Sequence, residues 1–209
     1  MNYLFSNFNE VWGLLLQHLR MTGLTLLIAI ALAVPIALLI SRFRWLNVPV
    51  MGALGILYTV PSLALIIFLV PLFGLNSTSV VAAMVLYTQV ILVRNLTVGL
   101  NAINPAVLEA ARGMGMSSWQ RWWRVQVPLV LPVFVAGVRI ATIVSIAIAT
   151  IGAKFNAGGL GKLLFDGIQT NRYDKIWAGS LAVAVLAFAL NGLLLWLEKQ
   201  SNPLRRATS

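Results

Sequence analysis

The chain has 209 residues, 60% of them hydrophobic and only 10% charged, with 15 Lys and Arg against 5 Asp and Glu. Soluble domains carry about 25% charged residues, so this composition cannot cover a water-facing surface and a cytosolic enzyme is excluded. A net charge of +10 would suggest nucleic acid in a soluble protein, but in a polytopic membrane protein it marks cytoplasmic loops.

At roughly 20 apolar residues per crossing, the length allows about five or six spans in one integral membrane domain. The expected fold class is therefore all-α, a single transmembrane domain over 1–209. With no cysteine there is no disulfide, iron–sulfur cluster or thiolate metal site. The single histidine, His18, cannot build a multi-His metal site and is read as a polar-face residue near the headgroups. Residues 1–9 carry no Lys or Arg, and no small-residue cleavage site follows a short apolar run. No secretory signal is expected, and the mature chain is expected to start here.

In chain order, Leu4, Phe5, Phe8, Val11, Trp12, Leu15, Leu16 and Leu19 recur near the helical period between polar Asn7, Glu10, Gln17 and His18. This predicts an amphipathic helix over 1–20, lying at the interface or entering the first span at an angle. Span 1 is expected over Thr22–Ile40, ended by Ser41-Arg42-Phe43-Arg44, and span 2 over Val50–Val70 with Pro61 inside it. Proline is tolerated there when neighbouring helices satisfy the freed carbonyl. Span 3 is expected over Val80–Leu100, span 4 over Leu129–Ile151 and span 5 over Ile176–Leu197, with a polar stretch 101–126, a glycine-rich connection 152–175 and a basic tail 199–209.

Five spans leave the termini on opposite sides. Arg42, Arg44, Arg112, Arg121, Arg124, Lys199, Arg205 and Arg206 then share one side, against Arg20, Lys154, Lys162, Arg172 and Lys175 on the other. The richer side is cytoplasmic by the positive-inside rule, which puts the N-terminus outside and the C-terminus inside a bacterial plasma (inner) membrane. Arg94 and Arg139 fall inside spans, either snorkelling to the cytoplasmic face or forming a structural or gating ion pair.

The 101–126 stretch is the most informative. Asn104-Pro105 is a helix start, and Pro105–Arg112 meets Gly113-Met114-Gly115, a C-terminal stop. Ser117 and Gln120 have capping-box spacing, so a second short helix carries Trp119, Arg121, Trp122, Trp123 and Arg124 and is expected to end at Pro128 and Pro132. Both ends of this helix-turn-helix are tied to spans, which prevents insertion into a DNA groove. It is either an interfacial hairpin with tryptophans at the headgroups or a rigid docking knob for a cytoplasmic partner.

Glu109-Ala110-Ala111, then three residues, Gly115, nine residues and Val125-Gln126-Val127-Pro128 resembles the EAA motif of permease subunits of bacterial ATP-binding-cassette importers. Val125 and Val127 replace the usual Ile and Leu. Tyr58–Leu65, Val93-Arg94-Asn95, Glu109–Met116, Ala136–Arg139 and Ala157–Gly161 resemble the glycine betaine/carnitine/choline (osmoprotectant) branch, the likeness running from about Thr22 to Leu197. Lys154-Phe155-Asn156 departs from the smaller, more apolar residues expected there, which bears on substrate identity and not on class.

The resemblance implies a MetI-like, type I importer permease whose cytoplasmic loop carries coupling helices. Glu109 would be the polar contact, Ala110 and Ala111 the close-packing face, Gly115 the turn, and Pro128 the motif's end. It implies two copies of a cytoplasmic ATPase and an extracytoplasmic substrate-binding protein. A second permease copy, identical or paralogous, is also implied, because one five-span unit is too small to enclose a path. ATP and Mg would bind the ATPase. This chain has no phosphate loop, since Gly161-Lys162 is followed by Leu163 and Asn156 stands where the first glycine should be.

None of the five acids, Glu10, Glu109, Asp166, Asp174 and Glu198, lies inside an expected span, which argues against a proton- or sodium-driven carrier. No catalytic residue, bound cofactor or metal is expected, and nucleic acid is not a partner. Candidate path residues are Tyr58, Thr59, Ser62, Tyr87, Gln89, Thr142 and Ser145. Gly137, Ala141, Ser145 and Ala149 form a small-residue stripe, serving a subunit interface, a path wall or packing within one subunit. The tryptophans lie near span ends and supply no clear aromatic cage, so selectivity is expected in the binding protein, met by the 152–175 connection. Alternatives are an importer of an amino acid such as methionine, an ATPase-independent carrier or channel, and a membrane scaffold.

Overall fold

The computed structural model describes residues 2–201, and these are helical nearly throughout. The basic tail lies outside the described residues beyond Ser201. A single turn, α1 (Asn2–Ser6), precedes α2 (Phe8–Arg42), one unbroken helix of 35 residues. The amphipathic segment expected over 1–20 therefore does not lie as a helix of its own; from Phe8 it continues into the first span. Leu14, His18, Thr22, Thr25, Ala29, Ala33, Ala37 and Ile40 are buried along one stripe with no phase break, so one face serves both segments. At 1.5 Å per residue α2 is about 50 Å long, against a hydrocarbon core of about 30 Å, so part of it projects beyond the bilayer. His18 lies on the buried face, fully enclosed; the polar-face exposure expected for it is corrected.

After a tight turn at Arg44–Leu46, α3 (Asn47–Thr59) and α4 (Ser62–Phe73) replace the continuous span expected over 50–70. They are bent by 97°. Val60 is extended, with ψ 128, as a residue before proline prefers, and Pro61 has no N–H with which to resume the ladder. Gly74 (φ 85) and the cap Asn76, whose side chain accepts from the Thr78 amide, lead into α5 (Ser77–Asn101). Short helices α6 (Pro105–Gly113) and α7 (Ser118–Arg121) follow.

From Ser118 the helix runs on through a π turn (Trp122–Gln126) into α8 (Val127–Gly152). Pro128 therefore does not end the second short helix. The turn widens immediately before it, with the Val127 amide bonded to the Trp122 carbonyl, and this relieves the clash of the proline ring with the preceding turn. Then come α9 (Gly161–Gln169) and α10 (Tyr173–Ser201).

Among the described residues four helices are long and apolar enough to cross a membrane, and the bent pair makes a fifth crossing if counted as one span. Their directions follow from contacts. Gln89 of α5 donates to the Ala29 carbonyl of α2 at 3.1 Å, and Thr25 faces Met84, so α2 and α5 run parallel. Gly137 of α8 abuts Asn95, and Gly152 abuts Val80, so α8 is antiparallel to α5. Gly179 near the start of α10 abuts Leu163 and Leu164 of α9, just past the end of α8, while Arg139 of α8 pairs with Glu198 near the end of α10, so that pair is antiparallel too. Arg42, the 101–126 segment and the end of α10 therefore share one side, while the start of α2, the 74–76 turn and the 153–172 connection share the other. The main core lies among α2, α4, α5 and α8, and a smaller one gathers Tyr3, Leu14, Ile146, Leu160, Leu163, Ala178 and Leu186.

Candidate functional site

The 101–126 segment folds as two short helices around a tight corner. Asn104 caps α6 by accepting from the Ala106 amide at 3.0 Å, with Pro105 at the first helical position. At the other end the Met114 amide bonds to Ala110 at 3.0 Å and the Met116 amide to Ala111 at 3.1 Å, across Gly115 at φ 77. A Cβ on Gly115 would meet nothing within 4 Å, so the glycine is there for its dihedral and not for space.

The capping box is complete, with Gln120 N–H donating to Ser117 Oγ at 3.3 Å and Ser117 N–H to Gln120 Oε1 at 2.8 Å. The Arg121 guanidinium ties the corner down by donating to the Met116 carbonyl at 2.8 Å and to Ser118 Oγ at 3.0 Å. Trp119 and Trp123 meet edge to face at 5.4 Å. The corner is thus held by backbone and side-chain bonds at every turn.

What it presents is also defined. Glu109, Ala110, Val107 and Met114 are exposed, and Met114 keeps 70% of its surface. Ala111 is buried in the chain itself. Because Ala111 is buried, only Ala110 of the two alanines is free to meet a partner. The pair expected to pack together on a partner is divided: Ala110 looks out and Ala111 in. Pro128 is half-buried at the start of α8, joining the corner to a spanning helix.

The candidate path residues divide as well. Tyr58 and Tyr87 come together with ring centroids 5.4 Å apart, and Ser62 opens α4 beside them at the break. Thr59 donates to the Ile56 carbonyl at 2.7 Å. Gln89, Thr142 and Ser145 are buried in the helix packing instead, with Gln89 bonded to α2 and Thr142 to its own helix at Val138. Gly137, Ala141, Ser145 and Ala149 are all buried on one face of α8, and Gly137 packs on Asn95 of α5 within the same subunit.

Below the two tyrosines, a groove of about 490 Å3 between α3 and α5 is lined by Asn47, Met51, Gly55, Val90, Arg94 and Thr97. Arg94 is exposed to it. Arg139 does not snorkel freely; it is paired with Glu198 at 3.0 Å.

On the opposite side, the 153–172 connection closes onto α2. The Gly159 amide donates to Gln17 Oε1 at 3.1 Å, and a Cβ on Gly159 would sit 3.2 Å from the His18 ring. Lys154 lies over the Phe165 ring at 4.7 Å, and Asn156 adopts φ 58, a left-handed conformation Asn tolerates. That backbone demand accounts for the Asn of the Lys154-Phe155-Asn156 departure. Sequence reasoning missed Gln17 here, which marks itself only as a polar residue within an apolar helix.

Residues 21–206 match the family described as binding-protein-dependent transport system inner membrane component. The osmoprotectant import permease protein OsmW of Salmonella typhimurium is 38% identical over 97% of this chain and 96% of its own length. The glycine betaine/carnitine/choline transport system permease protein OpuCB of Bacillus subtilis is 30% identical over 97% of this chain and 94% of its own. Among solved structures, an inward-facing conformation of the MetNI methionine ABC transporter superposes with a TM-score of 0.78 at 18% identity, over 96% of this chain and 98% of that one. At that identity the likeness concerns the fold alone.

Proposed function

The chain belongs to the family of binding-protein-dependent transport inner-membrane components, and from that premise we propose that it forms the path through which an osmoprotectant such as glycine betaine, choline or carnitine enters the cell. It is a permease subunit, a multi-pass inner-membrane protein and not an enzyme. ATP hydrolysis belongs to a separate ATPase, and cargo is delivered by a substrate-binding protein. The choice of cargo rests on the relatives, which import osmoprotectants, carnitine or choline.

The observation that carries the coupling role is the α6–α7 corner. It is rigid, it projects from the ends of spanning helices, and it exposes Glu109 and Ala110 beside the Gly115 turn. A groove on the ATPase gripping this corner would move α8 directly, because Ser118–Gly152 is one continuous helix. Nucleotide-driven closure would then tilt the spans between inward- and outward-facing states. Two copies of this chain or of a paralogue, with two ATPase subunits, would enclose the path. The corner faces the cytoplasm and the 153–172 connection faces the binding protein.

The test is uptake of labelled glycine betaine by cells expressing the permease with its ATPase and binding protein, with and without Glu109→Lys. Uptake should require both partners and vanish in the variant while membrane insertion persists. Methionine uptake without betaine uptake would replace the cargo; betaine uptake without the ATPase would remove the importer mechanism.

A further inference from the structure

We propose that Tyr58 and Tyr87, at the break between α3 and α4, form the site over which the quaternary ammonium group of the cargo passes; this rests on the osmoprotectant function above. The rings lie 5.4 Å apart and tilted by 55°, so the buried Tyr87 ring backs the Tyr58 ring and holds it in place at the end of α3. Tyr58 keeps 43% of its surface, leaving its face open to a solute.

Three further observations point to a cation there. First, the depth is right. Tyr87 is ten residues into the 25-residue helix α5, about 15 Å from its start at 1.5 Å per residue, and solute sites form near the midplane at interrupted spanning helices. Second, the break exposes negative dipole ends. The Val60 amide turns back to Leu57 at 3.3 Å, and among the described residues no backbone amide outside the helices' own ladders donates to the carbonyls of Tyr58, Thr59 or Val60. A helix C-terminus carries partial negative charge. Third, the Tyr58 hydroxyl has no hydrogen-bond partner on the protein among the described residues, although Tyr58 reaches the surface. An unpaired hydroxyl facing hydrocarbon is costly, so this face meets water or solute.

The chemistry selects the class of cation. No charged residue occurs between Arg44 and Arg94 in the sequence, so nothing there would strip water from a small, strongly hydrated ion. A large, weakly hydrated ammonium is what π faces and carbonyl dipoles stabilise. Arg94, about 10 Å beyond Tyr87 along α5 and lining the groove that begins one turn from the tyrosines at Gly55 and Val90, repels a bare cation and suits a zwitterion whose carboxylate points towards it. The site therefore fits trimethylammonium carboxylates best.

The test uses proteoliposomes holding the complete importer, supplied with its binding protein and glycine betaine. Tyr58→Leu should lower the initial uptake rate about fivefold or more, and Tyr58→Phe or Tyr58→Trp should stay within about twofold, because the ring and not the hydroxyl holds the cation. Stimulation of ATP hydrolysis by the loaded binding protein should survive in all three, and the complexes should elute intact. Wild-type uptake by Tyr58→Leu, equal losses in the Phe and Leu variants, or a dissociated Leu complex would each overturn the proposal. A wild-type complex that imports no quaternary ammonium compound would instead overturn the function on which it rests.

Discussion

Arg139 Nε donates to Glu198 Oε2 at 3.0 Å and Nη1 donates to Asn191 Oδ1 at 3.3 Å, so a single guanidinium joins α8 to α10. Each charged side chain keeps 26% of its exposure, between a screened surface pair and a fully desolvated one. Removing the carboxylate leaves a cation with one amide partner at the edge of the membrane. Glu198→Ala should therefore cost about 2 kcal/mol, and the detergent-solubilised protein should melt about 4–8 °C lower. The reversed pair Arg139→Glu with Glu198→Arg should recover much of that loss. An unchanged melting point in Glu198→Ala would mean the pair stabilises nothing.

The corner between α6 and α7 depends on one dihedral. At φ 77 and with nothing within 4 Å of an added Cβ, Gly115 resists substitution only through backbone strain, which is about 1–2 kcal/mol for an ordinary residue. Gly115→Ala should reduce ATPase-dependent uptake about tenfold, whereas Gly115→Asn should fall between it and the wild type, since Asn visits the left-handed region more readily. Insertion into the membrane should be equal in all three. Full uptake by the Ala variant would show that the angle of the corner does not matter to coupling.

This corner was also the part most legible in the sequence, because its determinants are local. Asn104-Pro105, Gly115 and the Ser117–Gln120 spacing each act within a few residues, and each reappears as a bond or a dihedral. Two adjacent alanines look alike in the sequence, and only packing against the rest of the chain decides that Ala111 is the one buried. The stripe from Leu14 to Ile40 was readable as one helix, but the polar residues around Gln17 and His18 imitate an interfacial helix when the loop that covers them is not known. Pro61 does not by itself distinguish a proline tolerated inside a continuous span from one at a 97° bend. The Tyr58–Tyr87 and Arg139–Glu198 encounters join different helices, the latter 59 residues apart, and depend on packing that no local pattern encodes.

Close approach of α5 and α8 gives a third expectation. A Cβ on Gly137 would lie 2.8 Å from the Asn95 Cβ, and the Asn95 side chain is itself fixed by donating to the Ile91 carbonyl at 2.8 Å. Neither helix can move aside without disturbing the main core, so Gly137→Ala should cost about 1–3 kcal/mol. It should lower the monodisperse fraction that survives heating in detergent. Gly23→Ala, where an added Cβ meets nothing within 4 Å, should hold or gain about 0.5–1 kcal/mol from helix propensity. Gly137→Ala with Asn95→Ala should recover stability; no recovery would show that the contact lies elsewhere.

The sidedness of the fold can be read directly, because the chain contains no cysteine and any introduced thiol is unique. The parallel run of α2 with α5 and the antiparallel runs of α5 with α8 and α8 with α10 oblige Met114 and Gln169 to lie on opposite sides of the bilayer. By the positive-inside rule the arginines clustered around Met114 predict that this side is cytoplasmic. Met114 is 70% exposed and Gln169 is exposed at the end of α9, so both thiols would be reachable when the ATPase is not co-expressed. In intact spheroplasts a membrane-impermeant maleimide should label Gln169→Cys at once and Met114→Cys only after permeabilisation. The reverse pattern would invert the orientation while leaving the fold intact. Labelling of both from outside would contradict an odd number of crossings between the two positions, and with it the transmembrane course of α8.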